Sequence, residues 1–235
     1  VYGEGEYTVL ELANNIESHG KDNSKSFEDV RGIAYRNNGQ IRKNTPRPYI
    51  DDLDTLPFPA RHLLPMDKYR PALYQIKRSP NTNLIASRGC PFNCNFCSKG
   101  VYGRKFRIRS PENVITEIEY LIEKYGIKEL LFWDDTFTLN KKWIEDFCIL
   151  LKERNLDITW SCSSRVNKVD KLLLQKMRKA GCWSIFYGIE SGSQKLLNNI
   201  NKGITISQVI NAVKWAKEAG IQVRASFMLG LPGET

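Results

Sequence analysis

The sequence predicts an α/β protein with parallel strands, arranged as an incomplete β/α barrel or as an open doubly wound sheet. Three observations carry that expectation. From Asn83 onward, short β-type runs alternate with amphipathic segments of helical period. The loops between them are short, and a strand–helix–strand unit of this kind makes its two strands parallel, with a right-handed crossover. Five such strands fall within about 150 residues, which fits either architecture; in both, the C-terminal strand ends carry the chemistry.

Each element has a local reason. Val1 to Glu17 reads as the last loop and helix of a preceding domain, entered through Gly3-Glu4-Gly5-Glu6, and Gly20 to Ser26 is a polar linker. Gly32 to Arg36, the turn Asn37-Asn38-Gly39, and Gln40 to Arg42 spell a β-hairpin. Thr45 to Pro71 carries Pro46, Pro48, Pro57, Pro59, Pro65 and Pro71 and reads as an extended connector. Leu84 to Ser87 is the first strand of the alternating region. Ser110, Pro111 and Glu112 open a helix with an N-cap, a Pro at the first position and an acid in the first turn, and Gly126 stops it. Leu130 to Trp133 is the second strand, followed by a helix from Asn140 that turns Trp143, Ile144, Phe147, Leu150 and Leu151 inward. Ile158 to Ser161 is the third strand, and Asp170 caps a helix that ends at Gly181. Ser184 to Gly188 is the fourth, followed by a short helix near Gln194–Ile200 and a longer one from Thr205 to Gly220. Val223 to Met228 is the fifth. The expected organisation is a tail of a preceding domain over residues 1–20, a linker over 21–82, and a main domain over 83–235.

Composition excludes several classes. With 41% hydrophobic residues the chain is an ordinary globular sequence, and no apolar run approaches the roughly 18–20 residues of a membrane span. Six Cys among 235 residues are too sparse for a disulfide scaffold, and no N-terminal signal pattern is visible, so a reducing, cytoplasmic setting is expected. The absent initiator Met and both abrupt ends lead us to expect a piece of something longer. The net charge of +9 is local: Lys and Arg outnumber Asp and Glu by 11 to 1 between residues 61 and 109. That stretch surrounds three of the cysteines. Arg104, Lys105, Arg107 and Arg109 read as a solvated loop offsetting anionic charge, with nucleic-acid contact as the lesser reading.

The strongest motif follows the first strand. Cys90, Cys94 and Cys97 form a C-x3-C-x2-C cluster on a loop with Pro91, Asn93 and Asn95 between them. Buried structural thiols are one reading. A zinc site is another, but it needs a fourth ligand, and His19 and His62 both lie in the N-terminal connector region. Three thiolates on one tight loop suit a [4Fe–4S] cluster with one iron left open for a substrate or cofactor. Cys148, Cys162 and Cys182 sit on or beside helices and strands and read as packing residues.

This loop, with Phe96 just before the last cysteine, resembles that of the radical S-adenosylmethionine (SAM) superfamily. The likeness extends over residues 83–235, through Phe132-Trp133-Asp134-Asp135-Thr136-Phe137, Ser164-Arg165-Val166-Asn167, Gly188-Ile189-Glu190-Ser191-Gly192-Ser193 and Phe227 to Thr235. In order, these motifs are similar to the branch containing the cobalamin-binding radical SAM enzymes, the methylthiotransferases and the coproporphyrinogen dehydrogenase type. The resemblance implies an incomplete parallel (β/α)6 barrel, its sixth strand beyond Thr235. It also implies reductive cleavage of SAM to a 5′-deoxyadenosyl radical, with the electron from a flavodoxin- or ferredoxin-type donor and a small-molecule substrate. By the same resemblance Cys90, Cys94 and Cys97 hold the cluster and the backbone beside Phe96 meets the adenine. Asp134 and Asp135 occupy the region that binds the SAM amine, where many relatives carry Gly-Gly-Glu instead. Glu190 aligns with a contact to ribose or amine, Lys202 and Arg165 with the carboxylate, and Gly230 with close backbone approach to the adenine. Set beside these roles, Asp134-Asp135 is also readable as a helix-entry turn, Glu190 as a solvated acid and Lys202 as a surface lysine.

The first sixty residues resemble the seam joining a cobalamin-binding domain to its radical SAM domain. The D-x-H-x-x-G signature of many such domains is absent, so cobalamin binding is assigned mainly to sequence outside this chain. A cobalamin-dependent methyltransferase or cyclase is the first expectation. A methylthiotransferase-like tRNA modification enzyme and a non-enzymatic Cys–metal module are the alternatives.

Overall fold

The computed structural model describes residues 1–21, 23, 25–69 and 75–234, so Pro71 and the closing Thr235 lie outside the described residues. Helix α1 (Glu6–His19) stops at Gly20. A short helix α2 (Lys25–Glu28) begins inside the stretch expected to be linker, where Ser26 donates to the carbonyls of Gly20 and Asn15 and folds the chain back. Strands β1 (Ala34–Asn37) and β2 (Gln40–Lys43) pair antiparallel. Asn38 and Gly39 both take positive φ between them, as a two-residue turn matching strand twist requires. Among its described residues the Pro-rich connector holds only single 3-10 turns, at Leu53–Thr55, Arg61–Leu63 and Met66–Lys68.

The rest alternates strands with helices, apart from a short ribbon after the first strand and a pair of helices before the last: β3 (Asn81–Leu84), a ribbon of β4 (Ser87–Arg88) and β5 (Arg107–Ile108), α3 (Pro111–Tyr125), β6 (Glu129–Phe132), α4 (Lys141–Glu153), β7 (Thr159–Ser164), α5 (Lys171–Lys179), β8 (Cys182–Glu190), α6 (Gln194–Asn199), α7 (Ile206–Glu218) and β9 (Gln222–Phe227). The main sheet runs β3-β6-β7-β8-β9, every neighbouring pair parallel. Strand order therefore follows chain order. A doubly wound sheet needs its order to reverse at a switch point, so that alternative is excluded.

The first strand differs from its expected position. It spans Asn81–Leu84, and the chain leaves the sheet at Ile85 instead of continuing to Ser87. The reason lies in Asp134, whose carboxylate accepts from the amides of Ala86 and Ser87 and from the Ser87 hydroxyl. Those amides are thereby taken from the ladder. Likewise the second strand ends at Phe132, and Trp133 stands 62% exposed beyond it.

Side-chain alternation sorts the two sheet faces. Leu130, Phe132, Trp160, Cys162, Ile185 and Tyr187 are buried in one core with the inner faces of α3, α4 and α5. Phe132, Phe137, Phe147 and Trp160 meet at ring-centroid distances of 4.4 to 6.0 Å, mostly edge to face. Cys148, Cys162 and Cys182 lie in this core as expected, and burial pushes the Cys148 thiol up to about 12 and that of Cys162 well above its ordinary value. The opposite face carries Ser161, Ser163 and Ser184. Ser110, Asn140, Asp170, Ser193 and Thr205 each cap the helix they precede, Thr205 through a capping box with Gln208.

Candidate functional site

The cysteine loop begins with a backbone constraint. Gly89 has φ +83°, and a Cβ there would stand 2.3 Å from the Lys105 carbonyl oxygen, so only glycine admits the turn into Cys90. The Cys90 amide donates to the Gly103 carbonyl at 3.3 Å, while the Asn95 amide donates to the carbonyl of Ile200 at 3.0 Å. The Asn95 side chain donates to the Asn199 carbonyl, and the Asn201 side chain to that of Asn93. The loop is thus held between the β4–β5 ribbon and the C-terminal end of α6. Its three thiols are graded in exposure: Cys90 buried, Cys94 half-buried, Cys97 exposed, and none is in a disulfide. Among the described residues, no three His, Cys, Asp or Glu side chains are gathered closely enough to hold a metal ion. The donor set itself fits an iron–sulfur group: three free thiols on one pinned loop at strand ends, beside buried cations.

Two cations define the floor of the site. Arg165, which follows β7 and is 5% exposed, lays its guanidinium on the Phe92 ring at 3.8 Å from the centroid. Its Nη1 reaches Cys94 Sγ at 3.4 Å, its Nη2 donates to the Lys202 carbonyl, and its Nε reaches Asn167 Oδ1 at 3.4 Å. Lys202 is also buried, against the surface-lysine alternative. Its Nζ pairs with Glu190 Oε1 at 2.7 Å and lies 5.5 Å from the Phe96 ring centroid.

Glu190 ends β8 with φ at 69°, an uncommon conformation for a residue with a side chain. It is no solvated acid, being 7% exposed, and its second oxygen accepts from Ser226 at 3.1 Å. Gly188 makes room for the pair, since a Cβ there would lie 2.6 Å from Glu190 Oε1 and 2.9 Å from Lys202 Nζ. Phe92 and Ser226 were not singled out from the sequence; their roles come from partners 73 and 36 positions away, which no local pattern signals.

The two adjacent acids part company. Asp134 is turned into the fold, where burial pushes its carboxyl up to about 6 against the opposing effect of the Ser87 and Ala86 hydrogen bonds. Asp135 is exposed. Gly230 has φ +78° with open space where a Cβ would sit, and Glu234 accepts from the amides of Gly230 and Leu231 to close that turn.

The basic stretch is corrected by its partners. Arg107 is 5% exposed, not solvated, and pairs with Glu4 at 2.8 Å. Arg88 bonds to Glu4 and Glu6, Arg61 and Arg109 pair with Glu117, and Lys105 pairs with Asp51. Burial raises the Glu4 carboxyl, but the bonds from Arg107, the Ile50 amide and Arg88 outweigh it and hold it below its ordinary value.

A parallel sheet in sequential order, with a pinned three-thiol loop and buried cations at the C-terminal ends of its strands, defines the α/β class of this protein. The model of the radical SAM superfamily matches residues 84–235, and the chain belongs to that superfamily. It is 44% identical over its whole length to an uncharacterised methyltransferase of Pyrococcus horikoshii, covering 49% of that protein. It is 35% identical, again over its whole length, to the anaerobic magnesium-protoporphyrin IX monomethyl ester cyclase of Rubrivivax gelatinosus, covering 42% of it. The structure of the cobalamin-dependent SAM radical enzyme OxsB, with aqua-cobalamin bound, superposes on 97% of this chain at a TM-score of 0.78 and 26% identity, over 33% of OxsB. The expected likeness to the cobalamin-dependent branch is therefore borne out. The chain spans about half the length of the curated relatives it matches. No described helix is long and apolar enough to cross a membrane.

Proposed function

We propose that this chain is the radical-generating part of a cobalamin-dependent SAM enzyme that methylates or cyclises a small molecule. The observation that carries the reading is the Cys90–Cys94–Cys97 loop, pinned at the strand ends with Arg165 against Cys94. We read the five strands as those of an incomplete (β/α)6 barrel whose last strand lies beyond Thr235. Residues 1–20 are then the tail of a cobalamin-binding domain, and 83–235 the radical SAM core, joined by the segment between them. A cavity of about 780 Å³ between α1, the connector and β3, faced by Tyr7, Leu10, Phe58 and Trp133, is shared by those two parts.

Cys90, Cys94 and Cys97 would hold a [4Fe–4S] cluster, which supplies a one-electron reductive cleavage of SAM when both are bound. The protein's part is to bind and orient. Asp135, the exposed member of its pair, would accept from the SAM amine, while Asp134 fixes the backbone before the loop. Glu190 and Lys202 would present paired opposite charges to the zwitterionic end of the cofactor, and the backbone beside Phe96 and the open turn at Gly230 would meet the adenine. The electron comes from a flavodoxin- or ferredoxin-type donor. The basic stretch lends little to the tRNA-modifying alternative, because much of it is already paired within the chain.

The test is Cys94→Ala. After anaerobic reconstitution and dithionite reduction, the variant is expected to release no 5′-deoxyadenosine above background. Release at the parent rate removes Cys94 from the ligand set. One zinc per chain and no sulfide in the parent protein returns the loop to the non-enzymatic metal module.

A further inference from the structure

We infer that Arg165 is a positioning residue for electron entry: its guanidinium hydrogen-bonds the Cys94 sulfur and raises the reduction potential of the cluster that sulfur would hold. This rests on the cluster reading above.

The geometry separates this role from contact with the SAM carboxylate. A planar guanidinium recognises a carboxylate by offering two parallel N–H groups. Here the two terminal nitrogens diverge, Nη1 to Cys94 Sγ at 3.4 Å and Nη2 to the Lys202 carbonyl. Nε is directed at Asn167 Oδ1 at 3.4 Å, and one flat face is covered by Phe92 at 3.8 Å. The group is 5% exposed, each of its three nitrogens has a partner and one face is stacked, and what Nη1 addresses is a cysteine sulfur.

The consequence follows from charge. Reduction adds one electron to the cluster and breaks no bond, so the reduced form is more negative by one unit. A fixed N–H donor and a buried positive charge next to a ligating sulfur favour that form, and low local polarity strengthens the effect. The Lys202 carbonyl aims the donor, and Lys202 itself holds Glu190, so Cys94, Arg165, Lys202, Glu190 and Ser226 form one chain of contacts.

The experiment is an EPR-monitored redox titration of the reconstituted protein without SAM, paired with a SAM-binding isotherm. Arg165→Gln removes the cation and is expected to make reduction harder by about tenfold, which is about 59 mV for one electron. Arg165→Lys keeps the charge and is expected to restore most of the shift. Phe92→Leu leaves Arg165 present but unstacked and is expected to move the potential the same way by less. A potential unchanged in both Arg165→Gln and Phe92→Leu overturns the inference, as does loss of SAM affinity at unchanged potential. Absence of sulfide in the parent protein defeats the cluster reading instead, which keeps the two failures distinguishable.

Discussion

Glu190 and Lys202 are a buried pair of opposite charges, and their energetics are asymmetric. Breaking such a pair by removing one partner costs about 3–5 kcal/mol, because the other charge is left stranded. Lys202→Ala is therefore expected to destabilise the fold by that order as well as to weaken SAM binding. Glu190→Gln with Lys202→Met is expected to cost less than the two single changes summed, as read by urea unfolding. Simple additivity would show that the 2.7 Å contact carries no coupling. Asp134 makes a pH prediction. Its folded carboxyl titrates near 6 against 3.8 unfolded, so the folded state holds the proton more tightly. The stability it adds is fully present below pH 3.8 and is lost as pH rises through about 6. Asp134→Asn is expected to flatten the stability profile across that window; a profile with the parent's slope there would refute the assignment. The cysteine spacing and the capping residues were legible because each is a local pattern. The carboxylates were legible as residues but not as partners, since Asp134 finds Ser87 across 47 positions and Glu190 finds Lys202 across 12.

Elements carry the site by where they stop. The first strand ends early because a distant carboxylate takes its amides, which periodicity along 84–87 could not reveal. The helices fared better: N-caps and the glycines after α3 and α7 bound them with chemistry contained in a few neighbouring residues. At this scale Gly188 is expected to tolerate no side chain. Gly188→Ala should displace Glu190 or Lys202 and weaken SAM binding while the α5 and α7 helices stay folded, measured by calorimetry alongside circular dichroism. The first turn of the chain is equally bound to the cysteine loop's base. Glu4 accepts from Arg107 and Arg88, and Arg88 stands two residues before Cys90. Glu4→Ala leaves Arg107 buried without its acid and is expected to cost about 3–5 kcal/mol, read by denaturant unfolding. A cost under about 0.5 kcal/mol, the range of ordinary surface substitutions, would place that segment outside the cooperative fold.

For the whole molecule, charge and topology were legible to different depths. Alternation announced parallel strands but not their order; sequential order emerges only from pairing, and it excludes the doubly wound sheet. The excess of positive charge between residues 61 and 109 was visible, yet its meaning was not, because Glu4, Asp51 and Glu117 lie outside the stretch and absorb much of it. What is left at the strand ends is a thiol loop beside Arg165 and the Lys202–Glu190 pair. As proposed, this loop would hold a cluster with one iron open to SAM. The most direct test is the EPR spectrum of the anaerobically reconstituted, reduced protein recorded with and without SAM. An iron–sulfur signal that changes shape when SAM is added is expected; a signal that SAM leaves unaltered would rule out an iron open to SAM.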